Sequence, residues 1–469
     1  MADAASMADV ASDVRGRPVA MFSRVLVANR GEVAVRVIRA LHELGVEAVA
    51  VYSTADAGGL HTRLADRAVC IGPPSATESY LNIRSVVAAG ETTGCDAVHP
   101  GWGFLAENPE FVRACEDNDL VFIGPDADVM ARMGDKVEAK RELAAAGVPL
   151  VPGTESVELD DARAAAAQIG YPVLLKAAAG GGGKGMRVVE AADDLDASFE
   201  RASAEALAAF GDGSIYLEKL VAPARHVEVQ VLCDADGGVL TLGERECSIQ
   251  RRHQKLIEES PSPALGEETR EAMEKDVARA CRAIGYLNAG TFEFLLAPDG
   301  AYYFIELNAR LQVEHPVSEL VTGIDIVREQ LRIAAGEQLH ATGRAARRGH
   351  AIEARLNAED PSRGFAPSPG VVERFKPPLG PGVRFDTHIE EGAVIPPYYD
   401  SLIAKLIVWD ETRPLAIERT LRALSELELR GIATTRDVAS EILDSDEFRS
   451  GEYSTSFLDE KRLATVGAS

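Results

Sequence analysis

The chain has 469 residues, 46% of them hydrophobic and 26% charged, which places it among globular proteins of about two to four domains with large buried cores. A formal net charge of −25 excludes a general nucleic-acid binder, because nothing would neutralise a phosphate backbone; an anionic ligand needs a local basic site working against the global field. Six widely spaced cysteines with no C-x-x-C pair fit reduced thiols in a cytoplasmic protein, and no apolar run approaches the roughly 18 residues of a membrane helix.

The opening "MADAASMADVASDVRGRPVA" is small and acidic with no hydrophobic centre, so residues 1–21 read as a disordered leader and not a secretory signal. Order begins at "SRVLVANRGEVAVRVIRALHELGVEAVAVYS". Val25 to Ala28 make a short buried strand, Gly31 the turn, and Val33, Val37, Ile38, Leu41 and Leu44 recur at helical spacing before a second strand at Ala48 to Val51. Strand, helix and strand at this length predict a parallel sheet with a right-handed crossover, and the α/β pattern continues to about residue 135. "GDKVEAKRELAAAGVPLVPG" then predicts a helix and a Pro/Gly-rich connector, and residues 154–220 a small unit. Strand-rich sequence runs from Val221-Ala222-Pro223 to about residue 320. After it come a helix ("GIDIVREQLRIAAG"), more strands and turns, and a last helix–strand pattern in "RPLAIERTLRALSELELRG".

Within the small unit, "LKAAAGGGGKGMR" satisfies G-x-G-x-x-G through Gly180, Gly182 and Gly185. A dinucleotide turn needs a helix after the glycines, yet "MRVVEAADD" from Met186 is β-branched and then turn-like, which predicts a second strand. A P-loop is excluded because Gly185 follows Lys184 where Ser or Thr must sit. What remains is a glycine-rich hairpin laying backbone N–H groups over phosphates, or a plain flexible tip. Lys176 on the strand before it, and Lys136 in "MGDK", are candidate phosphate cations.

In "GTFEFLLAPDGAYYFIELNARLQVEH", a two-residue turn at Asp299-Gly300 pairs residues whose numbers sum to 599, so Glu293 faces Glu306. Opposed carboxylates destabilise a sheet unless a cation lies between them, and oxygen ligands of this kind suit Mg²⁺ or Mn²⁺. Asn308, Arg310, Gln312 and Glu314 continue at spacing two and share the face of Glu306 in an extended chain, while Leu307, Leu311 and Val313 take the other. That polar face is equipped for a metal, an anion and a proton acceptor, or is simply solvated. In "CSIQRRHQK", Gln250, His253 and Lys255 either bind phosphate or pair with nearby acids; "RGHAIEARLNAEDP" sets Glu353, Arg355 and Asn357 on one strand face.

Taken together, "ANRGEVAVRVIRA", "HPGWGFLAEN", "MGDK", "GGGGKGMRVV", "RHVEVQVL", "ERECSIQRRHQK", "GTFEFL", "NARLQVEHPVSE", "RGHAIEARLNAEDP" and "PPYYDSLIAKLI" resemble biotin carboxylase of the ATP-grasp superfamily, over about residues 22 to 465. The resemblance implies an α/β and α+β chain with an ATP-grasp fold. An N-terminal Rossmann-like domain would span residues 22–135, an ATP-grasp region 136–345 with a mobile lid at about 151–220, and a C-terminal mixed domain 346–465. By position, Lys136, Lys176, Met186, His226, Gln250, His253 and Lys255 resemble nucleotide-contacting residues. Glu218, Lys219 and Val221 resemble the adenine edge, and Gly182 and Gly183 the lid's phosphate clamp. Glu293 and Glu306 resemble the metal carboxylates, with Asn308 close by. Arg310, Gln312 and Val313 resemble the bicarbonate site, Glu314 the general base, and Arg355 the residue beside the biotin ureido group.

The chemistry the resemblance implies is phosphorylation of bicarbonate by ATP to carboxyphosphate, with two Mg²⁺ or Mn²⁺ ions, and transfer of its CO₂ to biotin. This is the first half-reaction of an acetyl- or acyl-CoA carboxylase, such as a propionyl-CoA or fatty-acid-biosynthetic enzyme. No Ala-Met-Lys-Met biotinylation motif occurs, so biotin is expected on a separate carrier protein, or on a carrier domain of a longer chain of which this is a part. Further expected partners are a second copy of the chain, as a homodimer, and a carboxyltransferase subunit, with neither nucleic acid nor membrane. Three departures from the usual motifs occur: Trp102 where Tyr is common, Ala309 where Thr is common, and Ala178-Ala179 before the glycines. The competing readings are another ATP-grasp ligase of carbamoyl-phosphate synthetase type, and an inactive nucleotide-binding regulatory protein; intact Glu293, Glu306, Glu314 and Arg355 argue against the second.

Overall fold

Val25, Leu26 and Val27 are fully buried on both faces of the strand Arg24–Val27, as the centre of a parallel sheet requires. Gly31 then turns the chain at φ +69, a conformation that favours glycine, and the helix Gly31–Glu43 follows. The computed structural model describes residues 21–178 and 186–461. Gly182, Gly183 and residues 1–20 of the leader therefore lie outside the described residues. The N-terminal sheet has five parallel strands in the order Arg67–Gly72, Glu47–Ser53, Arg24–Val27, Ala97–His99, Val121–Phe122. This is the doubly wound order less its sixth strand, with the switch point between the strands Arg24–Val27 and Ala97–His99.

A separate four-stranded sheet, Gly153–Val157, Ile215–Lys219, Val173–Ala177, Met186–Val189, carries the glycine run between its last two strands. Those two pair antiparallel, Lys176 opposite Met186, so the chain after the glycines is a strand, as its β-branched residues predict. Helices Leu159–Ile169 and Leu195–Phe210 cover one face through Ala162, Ala166, Phe199 and Ala206.

The largest sheet runs Tyr302–Asn308, Asn288–Leu296, Arg225–Cys233, Val239–Arg251, Gln254–Ser260, His350–Asn357, Leu402–Asp410, Val383–Thr387, with Gly343–Arg344 added beside Val239–Arg251. It continues unbroken across residue 345. In Arg225–Cys233, Val227, Val229 and Val231 face the helix Glu267–Ile284, packing with Met273, Val277, Ala280, Phe292, Phe294 and Phe304. That 18-residue helix lies in a stretch expected from sequence to be strands. Helices Arg413–Glu426 and Arg436–Asp444 bury Ile417, Leu424, Ile442 and Leu443 against Ile352, Leu356 and Leu406.

The hairpin carrying Glu293 and Glu306 closes differently from the expected two-residue turn. Ala297 N–H donates to Ala301 O at 2.7 Å, and pairs from Phe294–Phe304 to Leu296–Tyr302 sum to 598. A bulge at Ile305 adds one residue and restores the sum of 599, so Glu293 does face Glu306. Phe304 anchors this hairpin against Phe292 and Phe294 at ring separations of 6.2 and 6.1 Å. Phe304→Ala should destabilise the protein by about 3–5 kcal/mol, read as a lowered unfolding midpoint.

Candidate active site

The second face of the strand Arg225–Cys233 is polar and fully buried, with Glu228 and Gln230 both at 0% exposure. Backbone register sets Arg245, Glu228, Glu293 and Glu306 in one row across four adjacent strands. Three carboxylates in line would force the strands apart without cations. Arg245, itself fully buried, supplies one by donating to Glu228 at 2.5 Å, Gln230 at 2.7 Å and Ser318 at 3.0 Å.

Lys255 supplies the second. Its Nζ lies 2.6 Å from Glu228, 3.0 Å from Glu293 and 2.6 Å from Glu314, one ammonium among three carboxylates. Arg355 completes the group, donating from Nε to Glu258 at 2.5 Å and from Nη2 to Glu314 at 2.9 Å. Burial alone would push the Glu314 carboxyl up, but Lys255 and Arg355 hold it well below the usual carboxylate range. For Lys255 burial opposes the charge, and Cys247, Glu228, Glu293 and Glu314 more than restore it. His226 is raised against its burial by Glu293, 3.0 Å away.

Glu306 ends the row and is exposed, while Glu293 is buried. Surrounding atoms still remove enough water to raise the Glu306 carboxyl, and the facing charge of Glu293 raises it further. Lys255 already fills the space among Glu228, Glu293 and Glu314. A divalent cation would therefore sit on the Glu306 side, where Lys136, His226 and Lys255 offset only part of the repulsion and the donors are hard oxygens; the residues present fit Mg²⁺ there.

The regular strand stops at Asn308, so the expected extended run from Glu306 to Glu314 is replaced by an irregular segment. Leu307, Leu311 and Val313 are buried as expected, but so are Asn308, Gln312 and Glu314, and the polar side chains converge through their hydrogen bonds. Arg310 donates to Asn308 at 2.8 Å and to Gln312 at 3.2 Å, while Asn308 and Gln312 donate to Glu293 Oε1 at 3.0 and 3.3 Å. Val313 enters through its backbone, its carbonyl accepting from the fully buried Lys405 at 2.9 Å. Glu314 heads the helix His315–Thr322.

Lys136 opens the helix Lys136–Ala145 and its charge acts on Glu306. Gln250 lies opposite Lys255 in a hairpin whose two-residue turn is Arg252-His253, at φ 49° and 66°. Two non-glycine residues there cost roughly 1 kcal/mol or more each, a strain that clusters at functional turns. Lys176 pairs with the buried Glu218 at 2.7 Å, and Lys140 pairs with the same carboxylate. The Lys219 ammonium donates to the Gly170 and Tyr171 carbonyls at 2.8 and 3.2 Å, and its backbone N–H donates to Pro152 O at 2.8 Å. Met186 is exposed at its strand start and Val221 is half-buried.

Sequence reasoning passed over Glu228 and Arg245, although strict alternation of Val with Glu and Gln in "RHVEVQVL" marks a polar face inside a buried strand. It also passed over Glu107, which accepts from Ala309 N at 3.0 Å and Arg310 Nε at 2.8 Å across 203 positions. Of the departures, Ala309 is buried and acts only through that backbone N–H. Trp102 lines a cavity of about 250 Å³ with Glu32, Phe104, Tyr399 and Asp400.

Family models match three successive stretches. They are the biotin carboxylase N-terminal domain over residues 21–130, the ATP-binding domain of the carbamoyl-phosphate synthase L chain over 135–342, and the biotin carboxylase C-terminal domain over 353–460. The two flanking models separate the chain from carbamoyl-phosphate synthetases. The chain is 50% identical to a biotin carboxylase of Nostoc sp. over 94% of its own length and 99% of that protein's. It is also 50% identical to a pyruvate carboxylase subunit of Methanothermobacter thermautotrophicus, over 94% and 90%. It superposes with a TM-score of 0.89 on biotin carboxylase from Campylobacter jejuni in complex with β,γ-ATP, at 47% identity, covering 94% of this chain and 99% of that one. The TM-score is also 0.89 for the biotin carboxylase domain dimer of Hydrogenobacter thermophilus 2-oxoglutarate carboxylase, solved with MgADP, ADP and bicarbonate. That match has 46% identity and covers 96% of this chain and all of the other. The chain belongs to the biotin carboxylase family, ATP-dependent ligases of the ATP-grasp fold that carboxylate biotin.

Proposed function

We propose that Glu314 is the general base that deprotonates bicarbonate, that Lys255, Arg310, Gln312 and the Val313 backbone hold that anion, and that Arg355 faces the ureido oxygen of biotin. One observation carries the reading: Glu314 is a fully buried carboxylate gripped by both Lys255 and Arg355, two residues from Gln312 and next to the Glu293–Glu306 pair. A bicarbonate entering between these cations replaces contacts that they now make with Glu314. That releases the carboxylate to accept a proton.

A bicarbonate oxygen then attacks the γ-phosphorus, the bond to the ADP oxygen breaks, and the bicarbonate proton passes to Glu314. The carboxyphosphate formed splits into CO₂ and phosphate. The phosphate takes the N1 proton of biotin, Arg355 stabilises the charge on the ureido oxygen, and N1 bonds to CO₂. Lys136, Lys176, His226, Gln250 and His253 surround the phosphates, for which Lys176 must leave Glu218. Glu218, Lys219, Val221 and Met186 border the adenine. Glu293 and Glu306, with Asn308 near, would hold Mg²⁺ or Mn²⁺, two ions in all, which neutralise phosphate charge when bound.

Two relatives support this reading: magnesium nucleotide and bicarbonate occupy the Hydrogenobacter domain dimer, and the Methanothermobacter protein is a carboxylase subunit. We place biotin on a carrier protein, with a homodimer and a carboxyltransferase subunit completing a cytoplasmic assembly. Among the described residues no helix is long and apolar enough to cross a membrane.

Glu314→Gln and Arg355→Ala should each lower carboxybiotin formation at least about 100-fold while ATP binding is retained; carboxylation near the wild-type rate would overturn the assignment. Glu306→Gln should raise the Mg²⁺ concentration for half-maximal turnover by about tenfold or more, measured by metal titration.

A further inference from the structure

Glu258 and Glu353 stand directly opposite each other on the paired strands Gln254–Ser260 and His350–Asn357. Both are fully buried. Arg355 Nε donates to Glu258 Oε1, whereas Glu258 Oε2 and both oxygens of Glu353 receive no N–H or O–H donor among the described residues. Two ionised carboxylates cannot share such a position at low cost, since each loses its water and repels the other.

The surrounding cations are committed elsewhere. Arg355, two residues along from Glu353, divides its donors between Glu258 and Glu314. Lys405, opposite Arg355 on the next strand, donates to Val313 O and lies 3.3 Å from Glu32 and 3.9 Å from Asp386. Lys255 is held by Glu228, Glu293 and Glu314. The unpartnered oxygens have one economical solution, a hydrogen bond between a protonated and an ionised carboxyl.

We propose that Glu258 and Glu353 share a single proton at neutral pH, and that this singly charged pair positions Arg355 for biotin. With the proton present, one negative charge holds the guanidinium while leaving it a net electrostatic pull on a ureido oxygen. Loss of the proton would set a second charge beside Arg355 and weaken that pull. The role in turnover rests on the assignment of Arg355 above. The environment agrees in direction: burial, with the charges of Glu258 and Glu314, raises Glu353 well above the usual range against Lys405 and Arg355, and burial with the charge of Glu314 raises Glu258 to about 7 against Arg355 and Lys255. These titrations belong to the pair.

The sign for stability follows. Carboxyls whose folded-state values lie above their unfolded ones contribute stability at acidic pH that is lost as pH rises through the folded-state value. Infrared difference spectra of the full chain across a pH series should show a buried protonated-carboxyl band that fades towards alkaline pH and whose intensity drops in Glu353→Gln. In the same variant the alkaline limb of kcat/KM for biotin should move up by about one pH unit or more, because the amide has no proton to lose there. Thermal midpoints of the variant should also fall less than those of wild type as pH rises. Unchanged band intensity in Glu353→Gln, or an alkaline limb at the wild-type pH, overturns the proposal. If the variant does not fold, a wild-type spectrum with no such titrating band overturns it alone. A protein that shows the band but forms no carboxybiotin would instead sink the catalytic reading.

Discussion

One buried ammonium organises the site. Lys255 touches Glu228, Glu293 and Glu314, which come from two strands and the head of a helix, and its charge offsets the mutual repulsion of all three. Removing one partner of such a buried ion pair typically costs about 3–5 kcal/mol, because the remaining charge keeps its desolvation penalty. The lysine therefore does two things. It holds two strands and a helix end in register, and it keeps Glu314 ionised in a place where burial favours the neutral acid. A substrate anion that draws Lys255 towards itself changes both at once.

The placement of Glu314 also depends on distant parts of the chain. Its helix, His315–Thr322, carries Glu319 one turn later. That carboxylate takes Arg36 from the N-terminal unit at 2.9 Å and Arg384 from the far edge of the large sheet at 2.6 Å. Lys405 ties the Val313 carbonyl to Glu32 on the first helix, and Glu107 clamps Arg310 from the N-terminal side. Segments from three regions thus meet at one short irregular stretch, 309–314. It can give up strand geometry because its backbone and side chains are held from outside.

Much of this was legible from local pattern. Alternation and β-branching predicted the strand after the glycine run, and the hairpin arithmetic brought Glu293 opposite Glu306. The arithmetic succeeded because two departures cancel: the loop is one residue longer than expected, and the bulge at Ile305 compensates. The helix Glu267–Ile284 was missed although Met273, Val277, Ala280, Cys281 and Ile284 recur at helical spacing inside a strand-rich region. Glu107 stands inside the motif "HPGWGFLAEN", but its pairing was not legible there, since its partners lie about two hundred positions away.

Local sequence sufficed for the family, most of the order of elements and the identity of the charged groups, because periodicity and motif spacing are properties of neighbouring residues. How those groups are paired emerges only in the folded chain: which carboxylates Lys255 neutralises, that Lys219 is tied to backbone carbonyls, and that Glu258 stands opposite Glu353 on paired strands. The cause is burial. Desolvation and Coulomb terms depend on distances across strands, and those distances are set only when the sheet closes.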